Sequence, residues 1–303
     1  MKTFRIGTRG SQLAWTQSGH AKALLEAAHS GVNFELVRIS TRGDRDQSTP
    51  LVSMLGTGLF TKELEESLLS GEIDMAIHSL KDVPYQTAPG CALGAFLERE
   101  SPFDALLTAV GGLDDLPLGA RIGTSSPRRI AQLKAFRSDL VFGDLRGNLD
   151  TRIRRLDEKE FDAIVLAEAG LRRLGLQARV CQALSPEVCV PAFGQGVLVV
   201  ECRSEDAEVL QVLKAVDAVA VRRGAEIERQ LMLLLGGGCK AALAALCSPG
   251  TLGWDVLASI GDPRSGRVIR KGWSGNNADA DAAMQGLAGE MLQQARDAGI
   301  VWQ

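Results

Sequence analysis

Cys239 closes the run Gly236-Gly237-Gly238, directly after the apolar stretch Leu231 to Leu235. A thiol at the end of a glycine turn has no bulky neighbours to shield it, so a large group could be attached there. Cysteine is otherwise mostly buried and inert. The plainer alternative is a helix ended by a glycine cap, with a cysteine that follows by chance. A second kind of chemistry belongs to three strand-to-helix junctions rich in hydroxyls and arginines. They are Thr8-Arg9-Gly10-Ser11, Thr124-Ser125-Ser126-Pro127-Arg128-Arg129, and Leu145-Arg146-Gly147-Asn148 followed by Arg152. Helix starts offer N–H groups and a positive dipole end to anions, and arginine adds a planar fork matched to carboxylate or phosphate. A third candidate is His78-Ser79-Leu80-Lys81-Asp82-Val83-Pro84, which leaves an apolar strand pattern and is stopped by proline. Ligands of α/β sheets bind at such strand ends. Asp82 is then either a turn carboxylate partnered by Lys81, or a group that stabilises a developing cation or moves protons.

Charge sharpens the anion reading. Residues 121 to 155 hold nine basic side chains against three acids, a local +6 in a chain whose net charge is -3. Arg154 and Arg155 fit an ordinary solvated helix face, whereas Arg128, Arg129 and Arg146 are read as lying in turns at element ends, where ligands bind. Aromatic residues make up 5% of the chain, with Tyr85 the single tyrosine, which argues against a nucleic-acid binder built on stacking. The six cysteines show no Cys-x-x-Cys pair, and the three histidines cluster in sequence with neither cysteines nor carboxylates. Neither a disulfide framework nor a metal site is expected. No stretch approaches the ~20 apolar residues of a membrane span, and Met1 to Arg5 runs into a strand pattern rather than a signal-peptide core. A reduced, cytoplasmic protein is expected.

The elements that must position these groups alternate short apolar runs with amphipathic stretches, the pattern of an α/β protein. Strands are expected at Phe4–Gly7, Phe34–Ser40, Met75–His78, Arg121–Gly123, Ile164–Ala167 and Leu198–Cys202. Helices are expected at Gln12–Ala27, Thr61–Leu69, Pro127–Phe136, Leu149–Leu156 and Ala225–Leu235. A weak internal echo pairs Ile6-Gly7-Thr8-Arg9 with Ile122-Gly123-Thr124-Ser125, and Asp74 to Ile77 with Asp162 to Val165. Two related α/β domains in tandem would explain both, although short echoes also arise by chance. The tail reads as two strands, Trp254–Ile260 and Val268–Trp273, and a helix across Ala278–Ala298, a smaller third domain with Cys239 near its start.

Taken in order, these segments closely resemble the porphobilinogen deaminase (hydroxymethylbilane synthase) family. The matching stretches are Thr8 to Ala14, Thr41-Arg42-Gly43-Asp44, Gly58 to Glu65, His78 to Pro84, Gly123 to Arg129 and Leu145 to Asn148. Ala169-Gly170-Leu171, Gly194-Gln195-Gly196 and Gly237-Gly238-Cys239 complete the set, which covers residues 4 to about 240. The resemblance implies two periplasmic-binding-protein-like α/β domains plus a small α+β C-terminal domain. The implied borders are 1–97 with 198–217, 98–197, and 218–303.

The resemblance further implies a transferase of haem and tetrapyrrole biosynthesis. Its dipyrromethane cofactor is joined by a thioether to the cysteine matching Cys239. Four porphobilinogens are added head to tail with loss of ammonia, and water releases hydroxymethylbilane. Asp82 matches the family's catalytic aspartate. Arg9, Ser11, Lys81, Thr124, Ser125, Ser126, Arg128, Arg129, Arg146, Arg152 and Arg173 correspond to groups that bind the pyrrole carboxylates. A monomer with no nucleic-acid or membrane partner is implied. The chain departs from the family pattern at Thr57, where a lysine is usual, across Lys240 to Ala244, where Val-Pro is common, and at Glu168, where the family tends to be apolar. A non-catalytic paralogue that keeps the fold as an anion-binding or sensing module is the alternative.

Overall fold

The internal echo is carried through into three dimensions. In a computed structural model of the chain, which describes residues 2–41, 61–237 and 241–302, two five-stranded sheets share one plan. The chain divides into two compact units, Met1–Glu100 with Val197–Arg223, and Ser101–Gly196 with Gly224–Gln303.

The first unit holds β1 (Thr3–Thr8), β2 (Asn33–Arg38), β3 (Met75–Ser79), β4 (Cys91–Phe96) and β10 (Leu198–Arg203), in the order β2-β1-β3-β10-β4. The first three run parallel, and β10 is antiparallel to both its neighbours. The second unit holds β5 (Asp104–Thr108), β6 (Arg121–Gly123), β7 (Val141–Gly143), β8 (Ala163–Ala167) and β9 (Gln182–Leu184), in the order β7-β6-β8-β5-β9. Its fourth strand again opposes the third.

The two echoed motifs occupy equivalent places and make equivalent bonds. Asp74 accepts from the backbone N–H of Arg5 at 2.8 Å and returns its own N–H to the Arg5 carbonyl at 2.9 Å. Asp162 and Arg121 repeat this at 2.7 and 2.9 Å. The residue before each aspartate explains the glycine of each Ile-Gly-Thr motif. A Cβ on Gly7 would stand 2.3 Å from the Ile73 Cδ1, and one on Gly123 would stand 3.0 Å from the Phe161 Cγ. Those contacts leave no room for a side chain.

Each sheet is covered on both faces. In the first unit α1 (Gln12–Ala28) and α6 (Ala207–Leu213) enclose one core around Phe4, Ile6, Leu25, Phe34 and Val200, and α2 (Lys62–Leu69) encloses the other around Leu64, Leu68 and Ile73. In the second, α3 (Pro127–Phe136) lies over one face, and α4 (Leu149–Asp157) with α5 (Glu168–Arg173) lies over the other. The expected elements are present within a few residues. One exception is α7 (Val219–Leu234), which begins six residues before the expected Ala225. Gly224 sits inside this helix rather than before it, where a Cβ would crowd the Trp254 ring at 3.2 Å.

The tail forms the antiparallel meander β11 (Leu243–Gly250), β12 (Gly253–Gly261) and β13 (Val268–Gly275), backed by α7 and α8 (Ala280–Asp297) around Ile227, Leu231, Ala258, Ile260 and Met291. Glu228, fully buried on α7, ties this layer to the second sheet's chain. Its carboxylate accepts from Gly194 N at 2.6 Å and from Cys247 N at 2.8 Å. Among the described residues no helix is long and apolar enough to cross a membrane.

Candidate active site

The chemistry-bearing residues collect at the carboxyl ends of the parallel strands, where turns into helices leave backbone N–H groups pointing outward. In the first unit β1 and β3 pair in parallel, so the turns that follow them are neighbours. After β1, Ser11 caps α1, its hydroxyl accepting from Ala14 N at 3.2 Å. Thr8 is buried and Arg9 half-buried. After β3 comes a single 3-10 turn, Leu80–Asp82. Its ends are pinned by burial of Leu80 and Val83, by Leu80 N donating to the Val197 carbonyl at 3.0 Å, and by Gln17 donating to Ser79 Oγ at 3.1 Å. Lys81 and Asp82 are thereby turned outward. Asp82 is exposed and has no hydrogen-bond or ion-pair partner among the described residues. It is not the turn carboxylate partnered by Lys81 that was one of the two expectations.

Beneath this turn His78 meets Glu201 at 2.9 Å, both buried. The histidine therefore does have a carboxylate neighbour. The sequence hid it because β3 and β10 lie far apart along the chain and meet only through antiparallel sheet pairing. Glu65 is nearby, and burial, with the Glu201 charge, raises its carboxyl above the ordinary range. Among the described residues no group of three or more such side chains could hold a metal ion.

In the second unit Ser126 caps α3, accepting from Arg129 N at 3.5 Å, with Pro127 as the first helical residue. Thr124 Oγ1 accepts from Ser126 N at 3.3 Å, and Ser125 Oγ accepts from Leu145 N at 3.0 Å beside Asp144. Asn148 caps α4. Gly147, at φ +100°, turns the chain where a Cβ would strike Thr151 at 2.9 Å. Arg146 faces Asp144 at 2.5 Å, Arg152 donates to the Gly147 carbonyl at 2.9 Å, and Arg173 donates to the Gly196 carbonyl at 2.6 Å. Glu168 is buried and bound by Ser101 at 2.5 Å and Arg172 at 2.8 Å, so its charge is met away from Arg173.

Arg128 and Arg129 differ from what the sequence suggests. They lie in the first turn of α3 rather than in a loop, and they are 6% and 8% exposed. Both reach inward to Asp104, a fully buried residue at the head of β5. Arg128 Nη1 donates at 2.6 Å and Nη2 at 3.2 Å, while Arg129 Nη2 donates at 2.7 Å and Nε at 3.0 Å. Gln195, of the Gly-Gln-Gly motif, adds a bond at 3.0 Å. Burial alone would push the Asp104 carboxyl upward. The two guanidiniums overcome this and hold it well below the usual carboxylate range. Two positive groups share one negative, which leaves a net positive charge under the Thr124–Ser126 turn.

The rest of the basic stretch is spent locally. Arg137 binds Asp139 at 2.6 Å and the Leu113 and Leu116 carbonyls at 2.8 and 2.9 Å, Lys134 binds the Arg264 carbonyl at 2.5 Å, and Arg121 and Arg155 lie over the Phe161 ring. Asp104, Glu201 and Glu228 were not singled out in the sequence. For Asp104 and Glu201 the one available signal was an acid heading or inside a run of apolar strand residues, whereas Glu228 stands among the charged residues of α7 and offered none. Cys239, Thr57 and Lys240 lie outside the described residues. Of the described cysteines, burial pushes the Cys91 and Cys189 thiols up to about 12 and Cys202 up to about 11. Cys247 is buried, while Cys181 is exposed.

A sequence model described as "Porphobilinogen deaminase, dipyromethane cofactor binding domain" matches residues 4–211. This chain belongs to the porphobilinogen deaminase family. It is 43% identical over 296 residues to the porphobilinogen deaminase of Roseiflexus sp. (strain RS-1), covering 97% of each chain. It is 43% identical over 306 residues to that of Streptococcus sanguinis (strain SK36), covering 99% and 98%. To that of Xanthomonas euvesicatoria pv. vesicatoria it is 45% identical over 283 residues, covering 93% of each. Among solved structures, the BvgS VFT2 domain of Bordetella pertussis is similar at a TM-score of 0.42 and 16% identity, covering 71% of this chain and 86% of that one. The dipyrromethane of the porphobilinogen deaminase family carries several carboxylates, and the donors present suit it. Capped helix starts and guanidiniums crowd the strand ends of both sheets, while Asp82 is the exposed carboxylate in the Leu80–Asp82 turn.

Proposed function

We propose that this chain is a working porphobilinogen deaminase that joins four porphobilinogens head to tail, with loss of ammonia, and releases hydroxymethylbilane by hydrolysis. The observation that carries the site reading is Asp82, an exposed carboxylate on a pinned turn, next to the Arg9–Ser11 turn at the carboxyl ends of the paired strands β1 and β3. Cys239 would hold the dipyrromethane through its sulfur, and that group would supply a nucleophilic pyrrole carbon. Asp82 stabilises the positive charge that develops on the substrate as ammonia leaves, through the ring N–H, and takes up the proton displaced from the ring carbon.

Arg9, Ser11 and Lys81 orient acetate and propionate groups at the first sheet, and Thr124, Ser125, Ser126, Arg146, Arg152 and Arg173 do so at the second. Each charge-assisted contact is worth ~1.5–3 kcal/mol. Arg128 and Arg129 contribute chiefly through the positive charge that Asp104 leaves uncancelled, which costs no reorganisation when an anion arrives. We read the chain as three domains, 1–97 with 198–217, 98–197, and 218–303, acting as a cytoplasmic monomer. Sedimentation at micromolar concentration tests the last point.

Intact-protein mass spectrometry tests the whole. The purified chain should carry the mass of two linked pyrroles, and Cys239→Ser should lack it. An unmodified chain from cells that make porphobilinogen would overturn the reading.

A further inference from the structure

We propose that Arg38, steered by Trp15, is an additional carboxylate-binding residue of the first sheet, taking an acetate or propionate of the growing pyrrole chain. The inference rests on the reading of the Arg9–Ser11 turn as a substrate site. Arg38 is the last residue of β2 and stands in register with Thr8 of β1, one residue before Arg9. Strand alternation puts Phe34, Leu36 and Arg38 on the face that α1 covers. Phe34 and Leu36 join that core, and Arg38, at the strand's carboxyl end, emerges beyond it and is exposed. Its guanidinium carbon lies 5.2 Å from the centre of the Trp15 ring. Trp15 is one turn into α1, its backbone N–H donating to the Ser11 carbonyl at 2.9 Å, and is 39% exposed. The Arg38 Cδ passes within 3.9 Å of where a Cβ would stand on Gly10, so the side chain runs along the same turn that carries Arg9 and Ser11.

The nature of this partner is what matters. Arg5, Arg203 and Arg222 of the same unit are each matched to an aspartate, Asp74, Asp206 or Asp217. Arg38 has no carboxylate partner among the described residues. An indole holds a guanidinium by its face without cancelling its charge, and leaves the in-plane N–H edge to a planar anion. The arrangement thus pre-orients a cation at a strand end and keeps it unneutralised, as a carboxylate receptor requires.

The test uses the full-length, cofactor-loaded protein and the variants Arg38→Gln, Arg38→Lys, Trp15→Leu and Arg9→Gln. Three quantities are read: KM with kcat, the intact-mass distribution of adducts bearing one to four added pyrroles, and the thermal midpoint. Arg38→Gln should raise KM about five-fold at low salt, the size of one exposed ionic contact, and shift the adducts toward shorter chains with kcat and midpoint nearly unchanged. The KM effect should fade as salt shortens the screening length from ~10 Å at 0.1 M to ~3 Å at 1 M. Arg38→Lys should fall between parent and Arg38→Gln, because it keeps the charge without the fork, and Trp15→Leu should shift KM in the same direction by less. If Arg38→Gln matches the parent in KM and adducts while Arg9→Gln is impaired, the inference fails and the reading of the turn stands. If Arg9→Gln is also unaffected, both fail. A lowered midpoint with unchanged KM would make the Arg38–Trp15 contact structural only, and would equally overturn the inference.

Discussion

Asp104→Asn should destabilise the protein by about 3–5 kcal/mol, the usual cost of breaking a buried ion pair from one side. The carboxylate receives four guanidinium contacts between 2.6 and 3.2 Å, plus Gln195 at 3.0 Å and the Cys189 thiol at 3.3 Å. An amide of the same shape keeps part of this geometry but leaves two buried positive charges with nothing to offset them. Carbonyl bonds from Arg128 to Val190 and from Arg129 to Val165, both 2.8 Å, persist. They keep the loss at the lower end of the range. Urea unfolding with m unchanged is the assay.

Adding Arg129→Gln to Asp104→Asn should cost less than the two single changes together, because it removes one of the stranded charges. A coupling of about 1–3 kcal/mol is expected for residues in one network. The folded carboxyl lies below its ordinary range, so its stabilisation is fully present above the unfolded value of ~3.9 and is lost as pH falls through the lower folded value. The gap between parent and variant should therefore be constant above about pH 5 and narrow only in stronger acid. A variant within 1 kcal/mol of the parent, or strict additivity with Arg129→Gln, would refute the reading of Asp104, Arg128 and Arg129 as one coupled buried network.

Three further changes probe the scaffold and the chemistry. Asp82→Asn should leave the thermal midpoint and the covalent pyrrole mass unchanged, since the side chain is exposed and unpartnered among the described residues. Single-turnover elongation should fall by about 10²–10⁴, the range for a lost acid-base group, and near-normal rates would remove Asp82 from the chemistry. Glu228→Ala should strand the N–H groups of Gly194 and Cys247 and cost about 1–3 kcal/mol for each, read as a lower urea midpoint. Gly7→Ala should be destabilising by about 1–3 kcal/mol through overpacking, because Ile73 stands 2.3 Å from the new methyl. Ile73→Val should recover part of that loss, and an unaltered midpoint in the single variant would contradict the packing argument.

What the sequence could report depended on how far apart the interacting residues stand along the chain. Ser11, Ser126 and Asn148 were legible as helix starts because each cap is a bond to a residue three positions on. The twin motifs around Gly7 and Gly123 were legible by another route, because the same short run recurs, although the contacts that demand each glycine lie far along the chain at Ile73 and Phe161. Asp104 was not, since its arginine partners lie 24 and 25 residues away and meet it only when α3 packs onto the sheet. A count of charges over residues 121–155 consequently overstated what a ligand meets. Arg137 and Lys134 serve turns, Arg121 and Arg155 stack on Phe161, and half of the Arg128–Arg129 charge is consumed by Asp104. The other half cannot be consumed by any one carboxylate. A buried cluster of two guanidiniums and one carboxylate therefore keeps a net positive charge in the first turn of α3. On the proposed reading of the site, this charge is what two almost inaccessible arginines would offer an anion at the Thr124–Ser126 turn.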